Sequence, residues 1–553
     1  DWLAQPPRVL ASAGRAPDRF HIIHVTLSDD APHGRGFPLS ITAERVLAHR
    51  LLQAQPYALL LFSDTDQRYW HVVNVRDLRQ RDRGGGTKLR RVLRRIAIGP
   101  DEKLRTAAER IAMLDLAKIA ESTIWGQVAP AAIQARHNEA FDVEAVTKQF
   151  FIDYVQVFTL LRDHVACFLT SRQDARDFAQ QFLNRVMFLY FLQRKGWLGH
   201  DANFLARFWK AYQRADTPRD TFVSHWLDVL FFEALNNGFQ AGRADRQHLP
   251  EDIRGALQMA PYLNGGLFAR NELDRGFAQA NGTIDDALMA KVFHAFEHYN
   301  FTIAEDTPLD QEVAVDPEML GHVYESLVNV SEEIDERGEA GIFYTPRIEI
   351  DLMCRLALVE RLANALGHEH RSLLYEAVFA FDQPEKDAAD RHLRQHNLWP
   401  ALDDILQHLT VCDPACGSGS FLVGMLHVLD DLQRRADHEL GRLPRPYERK
   451  QRIIQRSLYG VDIKRWAIRV AELRLWLQLV VENDTPLEEL QFRPLLPSLD
   501  FKLRCGDSLV QQVAGVELGH WVGRDISPSL KGRLIQLQGR KRRYFDEAGT
   551  EES

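Results

Sequence analysis

Three textures of hydrophobic patterning follow one another along the chain. In the first hundred residues, short apolar runs stand between turn-forming residues. Arg19–Thr26 (RFHIIHVT), Tyr57–Phe62 (YALLLF) and Tyr69–Val75 (YWHVVNV) predict strands, the last two joined by the turn-rich Ser63–Arg68, and Ala43–Gln53 has helical spacing. From Leu104 to Phe301 apolar residues recur every three or four positions, which predicts helices over Thr106–Glu121, Phe150–Leu169, Phe178–Gln193, Phe222–Leu235 and Ile284–Phe296. The many aromatic residues of these faces fit a helix-packed core better than platforms for stacked bases. Asp316-Pro317 opens a further predicted helix to Asn329, and the charged Ser331–Glu339 reads as a loop. From Gly341 onward strands and helices alternate around glycine-rich turns, the mark of a mostly parallel sheet. The expected fold class is therefore α/β and all-α multidomain. It comprises an α/β domain over 1–125, a helical domain over 126–335 and an incomplete doubly wound, Rossmann-like domain over 336–553.

Bulk properties narrow this little. A chain of 553 residues is too long for one core. A hydrophobic content of 45% and a net charge of −9 are ordinary for a globular protein, and an acidic total does not exclude a nucleic-acid partner. Locally the balance reverses. Arg76–Arg95 holds nine Lys/Arg against two Asp and is broken by Gly84–Gly86, which reads as a solvated loop or as a phosphate-contacting surface. Five cysteines, an odd and sparse set, suit the reducing cytoplasm, and no apolar stretch is long enough to span a bilayer. The start at Asp1 and the polar end lead us to expect a fragment.

The densest chemistry lies in Leu409–Leu422 (LTVCDPACGSGSFL). A strand ends in Asp413, a tight glycine turn follows, and a helix runs from Phe421 to about Gln433. Glycine lets a ligand approach the backbone, and a helix N-terminus offers free N–H groups to a carboxylate. Asp413 can accept from an ammonium group. A ligand with both groups, such as the methionine part of S-adenosylmethionine, fits the pair. The loop lacks the Lys-Ser/Thr of a P-loop, and Leu422 stands where a dinucleotide fingerprint needs its third glycine. Arg434–Arg452 reads as an inserted loop. Ser457–Asp462 then reads as the next strand, its terminal acid placed for ribose hydroxyls, followed by a helix over Ile463–Leu479. Cys505–Leu509 (CGDSL) carries a third strand-end acid, Asp507. Upstream, Gly341–Pro346 (GIFYTP) precedes a helix over Arg347–Ala365.

GIFYTP, DPACGSGSFL, GVD–helix and GDSL, in this order, resemble the gamma-class N6-adenine DNA methyltransferases. The closer likeness is to fused type IIG restriction–modification enzymes and to adenine methylases of DISARM-like phage-defence systems. Asn184–Leu198, Tyr262–Phe268 and Asp316–Leu327 also resemble helical segments of that family. The resemblance implies S-adenosylmethionine as cofactor, double-stranded DNA as partner, subunits of a defence system as further partners, and no membrane association. It implies that Tyr344, Thr345 and Pro346 border the methionine end of the cofactor. Asp413 with Ala415, Cys416, Gly417, Ser418 and Gly419 would hold its amino and carboxylate groups. Asp462 would take the ribose and Ile463 pack on the adenine, while Asp507, with Ser508 beside it, would meet the adenine amino group.

The family's catalytic Asn/Asp/Ser-Pro-Pro-Tyr/Phe motif is missing after Leu509, so no catalytic residue is assigned and the fragment is expected to be inactive alone. Ala514–Ser553 reads as helix and basic linker. The N-terminal region is expected to be degenerate nuclease-like or DNA-binding. Asp64 and Asp66 lie beside its sheet, but Tyr69–Val75 carries no acidic-X-Lys, and Asp101-Glu102-Lys103 opens a helix instead. No metal site is expected, since Cys412 and Cys416 have neither a second pair nor a histidine set. The alternative to an enzyme is a non-catalytic, cofactor-binding subunit that docks DNA in a defence complex. An RNA or protein methyltransferase is the third reading.

Overall fold

In the computed structural model, residues 2–14, 19–31, 39–81, 87–100, 102, 104–115, 129–236, 238–263, 266–302, 310–312, 314–315, 319, 321, 345, 347–381, 383–483, 485–490, 495–499, 501–510, 512–513, 516–517 and 536 are described. The chain divides into two compact units. One comprises Asp1–Asp228, Ala241–Leu257 and Asn271–Ser331; the other comprises Val229–Gln240, Gln258–Arg270 and Glu332–Ser553. No helix among the described residues is long and apolar enough to cross a membrane.

The first unit opens with strands β1 (Arg8–Ala13) and β2 (Phe20–Thr26), helix α1 (Ile41–Ala54), and strands β3 (Ala58–Ser63), β4 (Trp70–Arg81) and β5 (Thr87–Ile98). With β6 (Asp310–Glu312) these strands form one sheet in sequential order. Its β2–β3 and β5–β6 pairs are parallel and the rest antiparallel. A parallel pair needs a crossover, and α1 supplies it between β2 and β3. The Ser40 hydroxyl starts α1 by accepting the Ala43 N–H at 3.1 Å. Ala43, Leu47, Ala48 and Leu52 of α1 pack on Val25, Leu60, Phe62, Val73 and Leu93 of the sheet. Inside this apolar layer Glu44 is buried with His71 Nδ1 at 2.6 Å and Arg95 Nε at 3.5 Å.

The basic stretch Arg76–Arg95 is strand over Arg76–Arg81 and Thr87–Arg95, and residues 82–86 lie outside the described residues. β4 and β5 pair over twelve rungs, from Trp70↔Ile98 to Arg81↔Thr87. The nuclease-like carboxylates are used structurally. Asp64 accepts the Tyr69 N–H at 2.9 Å in the β3–β4 turn, and Glu102 pairs with Arg194; Asp101 and Lys103 lie outside the described residues.

The same unit continues as helices α2 (Leu104–Ala112), α3 (Pro130–Ala140), α4 (Val143–Val165), α5 (Arg172–Arg194) and α6 (Phe204–Arg214). The predicted helix Thr106–Glu121 is helical as far as Ala112, and its residues 116–121 lie outside the described residues. Phe222–Leu235 is irregular: a wide π-type turn over Phe222–Leu227 ends this stretch of the first unit, and the short α7 (Asp228–Phe232) begins a stretch of the second. Helices α8 (Glu251–Gln258), α9 (Glu272–Gln279) and α10 (Asp286–Phe296) follow. Aromatic rings fill the interior, with Phe150 against Tyr154, Phe296 and Phe301. Arg185 of α5 forks onto Asp274 of α9 through 2.7 and 2.8 Å hydrogen bonds. The predicted helix Asp316–Asn329 and the loop Ser331–Glu339 lie essentially outside the described residues.

The second unit has helices α11 (Arg347–Leu366), α12 (Arg371–Phe379), α13 (Gln383–Gln395) and α14 (Trp399–His408), then strand β7 (Val411–Asp413) and helices α15 (Ser420–Glu439) and α16 (Pro446–Arg456). Strand β8 (Leu458–Asp462), helix α17 (Arg465–Glu482) and strand β9 (Leu503–Cys505) complete its core. The sheet order is β7-β8-β9 and both pairs are parallel, with helices in each crossover. The expected inserted loop Arg434–Arg452 is instead the end of α15 and most of α16. Nearly all of Ala514–Ser553 lies outside the described residues. Of Tyr262–Phe268, expected to be helical, Tyr262 and Leu263 are extended and residues 266–268 form a turn, while residues 264–265 lie outside the described residues. Tyr262 N–H donates to Leu490 O, its carbonyl accepts Leu495 N–H, and Leu263 exchanges bonds with Leu235 and Leu496.

Candidate functional site

The carboxyl ends of β7, β8 and β9 lie side by side, and each of the first two closes on an acid. Asp413 is in register with Gly460, and Asp462 with Cys505. In open α/β sheets a crevice at such strand ends is the usual ligand site. The chain leaves β7 through Pro414–Gly419 and enters α15 at Ser420. Gly417 and Gly419 have φ values of 52° and 82°, a left-handed backbone that other residues enter at a cost. A Cβ on Gly419 would stand 2.9 Å from Ala471 Cβ of α17, whereas one on Gly417 would meet nothing within 4 Å. Gly419, the second of the two in the chain, thus lets helix and loop touch. Gly417 keeps open space over the turn.

The loop is fastened from three sides. Asp462 accepts the Gly417 N–H through Oδ2 at 2.9 Å and the Lys464 N–H through Oδ1 at 2.8 Å. Cys416 N–H donates to Val461 O at 2.9 Å. Beneath the loop, buried Arg474 of α17 donates from Nη1 to Ser418 O at 3.0 Å, Ser418 Oγ at 3.1 Å and Ser420 Oγ at 2.9 Å. Gly460 of β8 admits this packing, because a Cβ there would lie 2.9 Å from Cys416, Leu422 and Leu503 atoms alike.

Asp413 is half-buried. Its Oδ1 accepts the Ala415 N–H at 3.1 Å, while its buried Oδ2 has no hydrogen-bond partner among the described residues. Burial, reinforced by the negative Asp462 and opposed by the Ala415 N–H, holds its carboxyl above the usual carboxylate value. An acceptor stripped of water and aimed at nothing is costly, and a cationic ligand would satisfy it. The buried Cys416 thiol is pushed up by burial and by both acids. It fills space under the turn.

The other expected residues fall around this centre. Ile463, beside Asp462, is 66% exposed, a bare apolar side chain at the strand tip. The Gly506 N–H donates to Asp462 O at 2.9 Å, which brings the β9 end against the β8 end. Asp507 and Ser508 follow, both exposed, and Asp507 caps its own turn by accepting the Leu509 N–H at 2.8 Å. Thr345 is half-buried, two residues before α11. That helix packs on α15, where Cys354 Sγ reaches Phe421 O at 3.7 Å. Tyr344 and Pro346 lie outside the described residues. Asp413, the glycine loop and Asp462 are therefore interlocked, Asp507 adjoins them through Gly506, and Thr345 is bonded to none of them.

Sequence reasoning missed Arg474. Its signal is a lone cation inside the apolar run Leu473–Val480, where a charge is tolerated only with fixed partners. It also missed that Asp462 ties down the loop.

Residues 388–512 match the family model described as MmeI, DNA-methyltransferase domain. The chain carries an MmeI-type DNA-methyltransferase domain. It is homologous to type II restriction–modification methyltransferases. It is 32% identical over 353 residues to a type II restriction enzyme and methyltransferase inferred for Methanocaldococcus jannaschii, covering 62% of this chain and 28% of the relative. It is 23% identical over 261 residues to a type II restriction enzyme and methyltransferase of Escherichia coli, covering 45% of this chain and 22% of that one. The chain thus spans about a quarter of the length of these relatives. A solved structure of the type IIL restriction–modification enzyme MmeI in complex with DNA aligns over 67% of this chain and 41% of its own. Its TM-score is 0.41 and its identity 15%.

Proposed function

We propose that this MmeI-type domain binds S-adenosylmethionine at the β7–β8–β9 tips. The protein to which it belongs would then methylate the N6 amine of adenine in double-stranded DNA as part of a restriction–modification or phage-defence system. The buried, unpartnered Oδ2 of Asp413 beside the open Gly417 turn carries the reading. That acceptor suits the ammonium of the cofactor's amino-acid end. The free N–H groups where α15 begins suit its carboxylate. Asp462 has lone pairs left after accepting two backbone N–H groups, so it holds the loop and can also accept ribose hydroxyls. Ile463 offers an apolar face to the adenine ring, and Asp507 a carboxylate to its amino group. Thr345, flanked by Tyr344 and Pro346, borders the methionine end, with Ala415, Cys416, Ser418 and Gly419 forming the turn.

Bound S-adenosylmethionine supplies an activated methyl group for attack by an amine. The residues assigned here bind and orient it, and no catalytic residue is assigned among the 553. The preference for adenine rests on the order of the four sequence motifs. Calorimetric titration with S-adenosylmethionine tests the site. Saturable binding lost in Asp413→Ala and weakened in Asp462→Ala is expected; unchanged affinity in Asp413→Ala would overturn the assignment.

A further inference from the structure

The sheet of the first unit has one part that packing does not explain. Strand β3 pairs with β4 only over Trp70–Asn74, and β6 pairs with β5 only over Leu93–Arg95. From Arg76↔Val92 to Arg81↔Thr87 the two strands run on together with no outer strand among the described residues. Those six rungs make a two-stranded ribbon about 20 Å long. Within them stand Arg76, Arg79, Arg81, Lys88, Arg90 and Arg91, against one acid, Asp77. Cross-strand partners share a face, so the backbone register puts positions 76, 88 and 90 on one face of the ribbon and positions 79, 81 and 91 on the other.

Charge on a bare strand protects it from pairing with another chain, and a mixture of signs would do that as well. A single sign instead builds repulsion along the ribbon, in a chain whose total is −9. Such an element is complementary to a dense polyanion. Duplex DNA matches it in shape as well as charge. Its major groove, about 12 Å wide, admits a two-stranded β-ribbon, with phosphates along both walls for cations on both faces.

We propose that the β4–β5 ribbon, outside the methyltransferase domain, is a second duplex-DNA contact that grips phosphates along a groove. The inference rests on DNA as the partner, but not on the cofactor site. The test is fluorescence anisotropy of the full chain with a labelled duplex of about 30 base pairs, across a salt series. Arg76→Gln/Arg79→Gln/Arg90→Gln is compared with the unaltered chain. Arg91 is left in place because its guanidinium donates to His49 O. The triple variant is expected to bind at least tenfold more weakly. Its log–log salt slope should be shallower by about 2 to 3, the loss of three phosphate contacts. Its thermal melt and S-adenosylmethionine titration should be unchanged. Three results overturn the proposal: an unchanged salt slope in a folded triple variant, no duplex binding by the unaltered chain, or binding of single-stranded RNA that is tighter and equally ribbon-dependent. In each case the cofactor titration still reports separately on the β7–β9 site, and Asp413→Ala should keep the ribbon-dependent DNA binding.

Discussion

Arg474 holds Ser418 by two atoms at once, its Nη1 lying 3.0 Å from the backbone oxygen and 3.1 Å from the hydroxyl. Both partners are buried, so the guanidinium sets the turn from below. Arg474→Leu removes a charged donor from buried acceptors and should lower stability by roughly 1.5–3 kcal/mol. It should weaken S-adenosylmethionine binding beyond that, because the loop relaxes. Denaturant unfolding and calorimetry on the same variant check the two effects; full affinity in a folded variant would show that the contact serves packing alone.

Gly417 and Gly419 separate strain from access. Gly419→Ala combines a φ of 82° with a 2.9 Å approach to Ala471, so it should destabilise the fold by more than the roughly 1–2 kcal/mol of left-handed strain. Gly417→Ala has the strain without the clash, yet its methyl enters the space over the turn. It should melt close to the unaltered protein and bind the cofactor much more weakly. Equal affinity would mean that the ligand does not approach that amide.

Asp413 gives the site a pH signature. Its carboxyl is raised in the folded protein, mainly by burial, so the folded state takes up its proton at a higher pH than the unfolded state does. Stability from this group therefore falls as pH rises toward and through the raised value. Ligand binding has the opposite sign. An ammonium needs the carboxylate, so affinity is full above the raised value and declines, by up to about tenfold per pH unit, below it. Calorimetry between neutral and mildly acidic pH should show proton release on binding. Asp413→Asn should abolish the release.

The cysteines divide by reactivity. Cys354 is buried, its thiol pushed up to about 12 by burial and Asp351, and Cys416 is held higher still. Cys167, Cys412 and Cys505 are exposed. Maleimide labelling followed by peptide mass spectrometry should modify these three first. Cys505 sits at the β9 tip, with its sulfur 3.4 Å from Ile463 O. S-adenosylmethionine should slow its labelling and leave Cys167 unchanged.

The sequence announces the centre of this site because its chemistry is local. A strand, an acid and a left-handed turn within ten residues leave few backbone solutions, and Asp462 and Asp507 fall where the next strands end. What it hides is held by distant pairs. The ribbon carries charge on both faces, so it has neither the alternation of a half-buried strand nor the run of a buried one. Helix α16 reads as a polar insertion because its inner face includes Arg449 and Lys450. Their partners Asp430 and Glu482, at 2.6 and 3.0 Å, stand on other helices. Likewise Glu44 looks like a surface residue of α1 until His71 and Arg95 arrive from the sheet. The π-type turn at Phe222–Leu227 keeps the apolar spacing of a helix, so periodicity cannot expose it.

The threading of Tyr262–Leu263 between Leu235, Leu490 and Leu495–Leu496 bears on how the gene can be divided. A protein begun at Glu332 would lack this strip and leave the Leu490 carbonyl and the amides of Leu495 and Leu496 without their mates. The second unit is assembled from three separated stretches of chain, so this compact unit is not a suffix of the sequence. Excising it intact means carrying the two short upstream strands of yarn along with it.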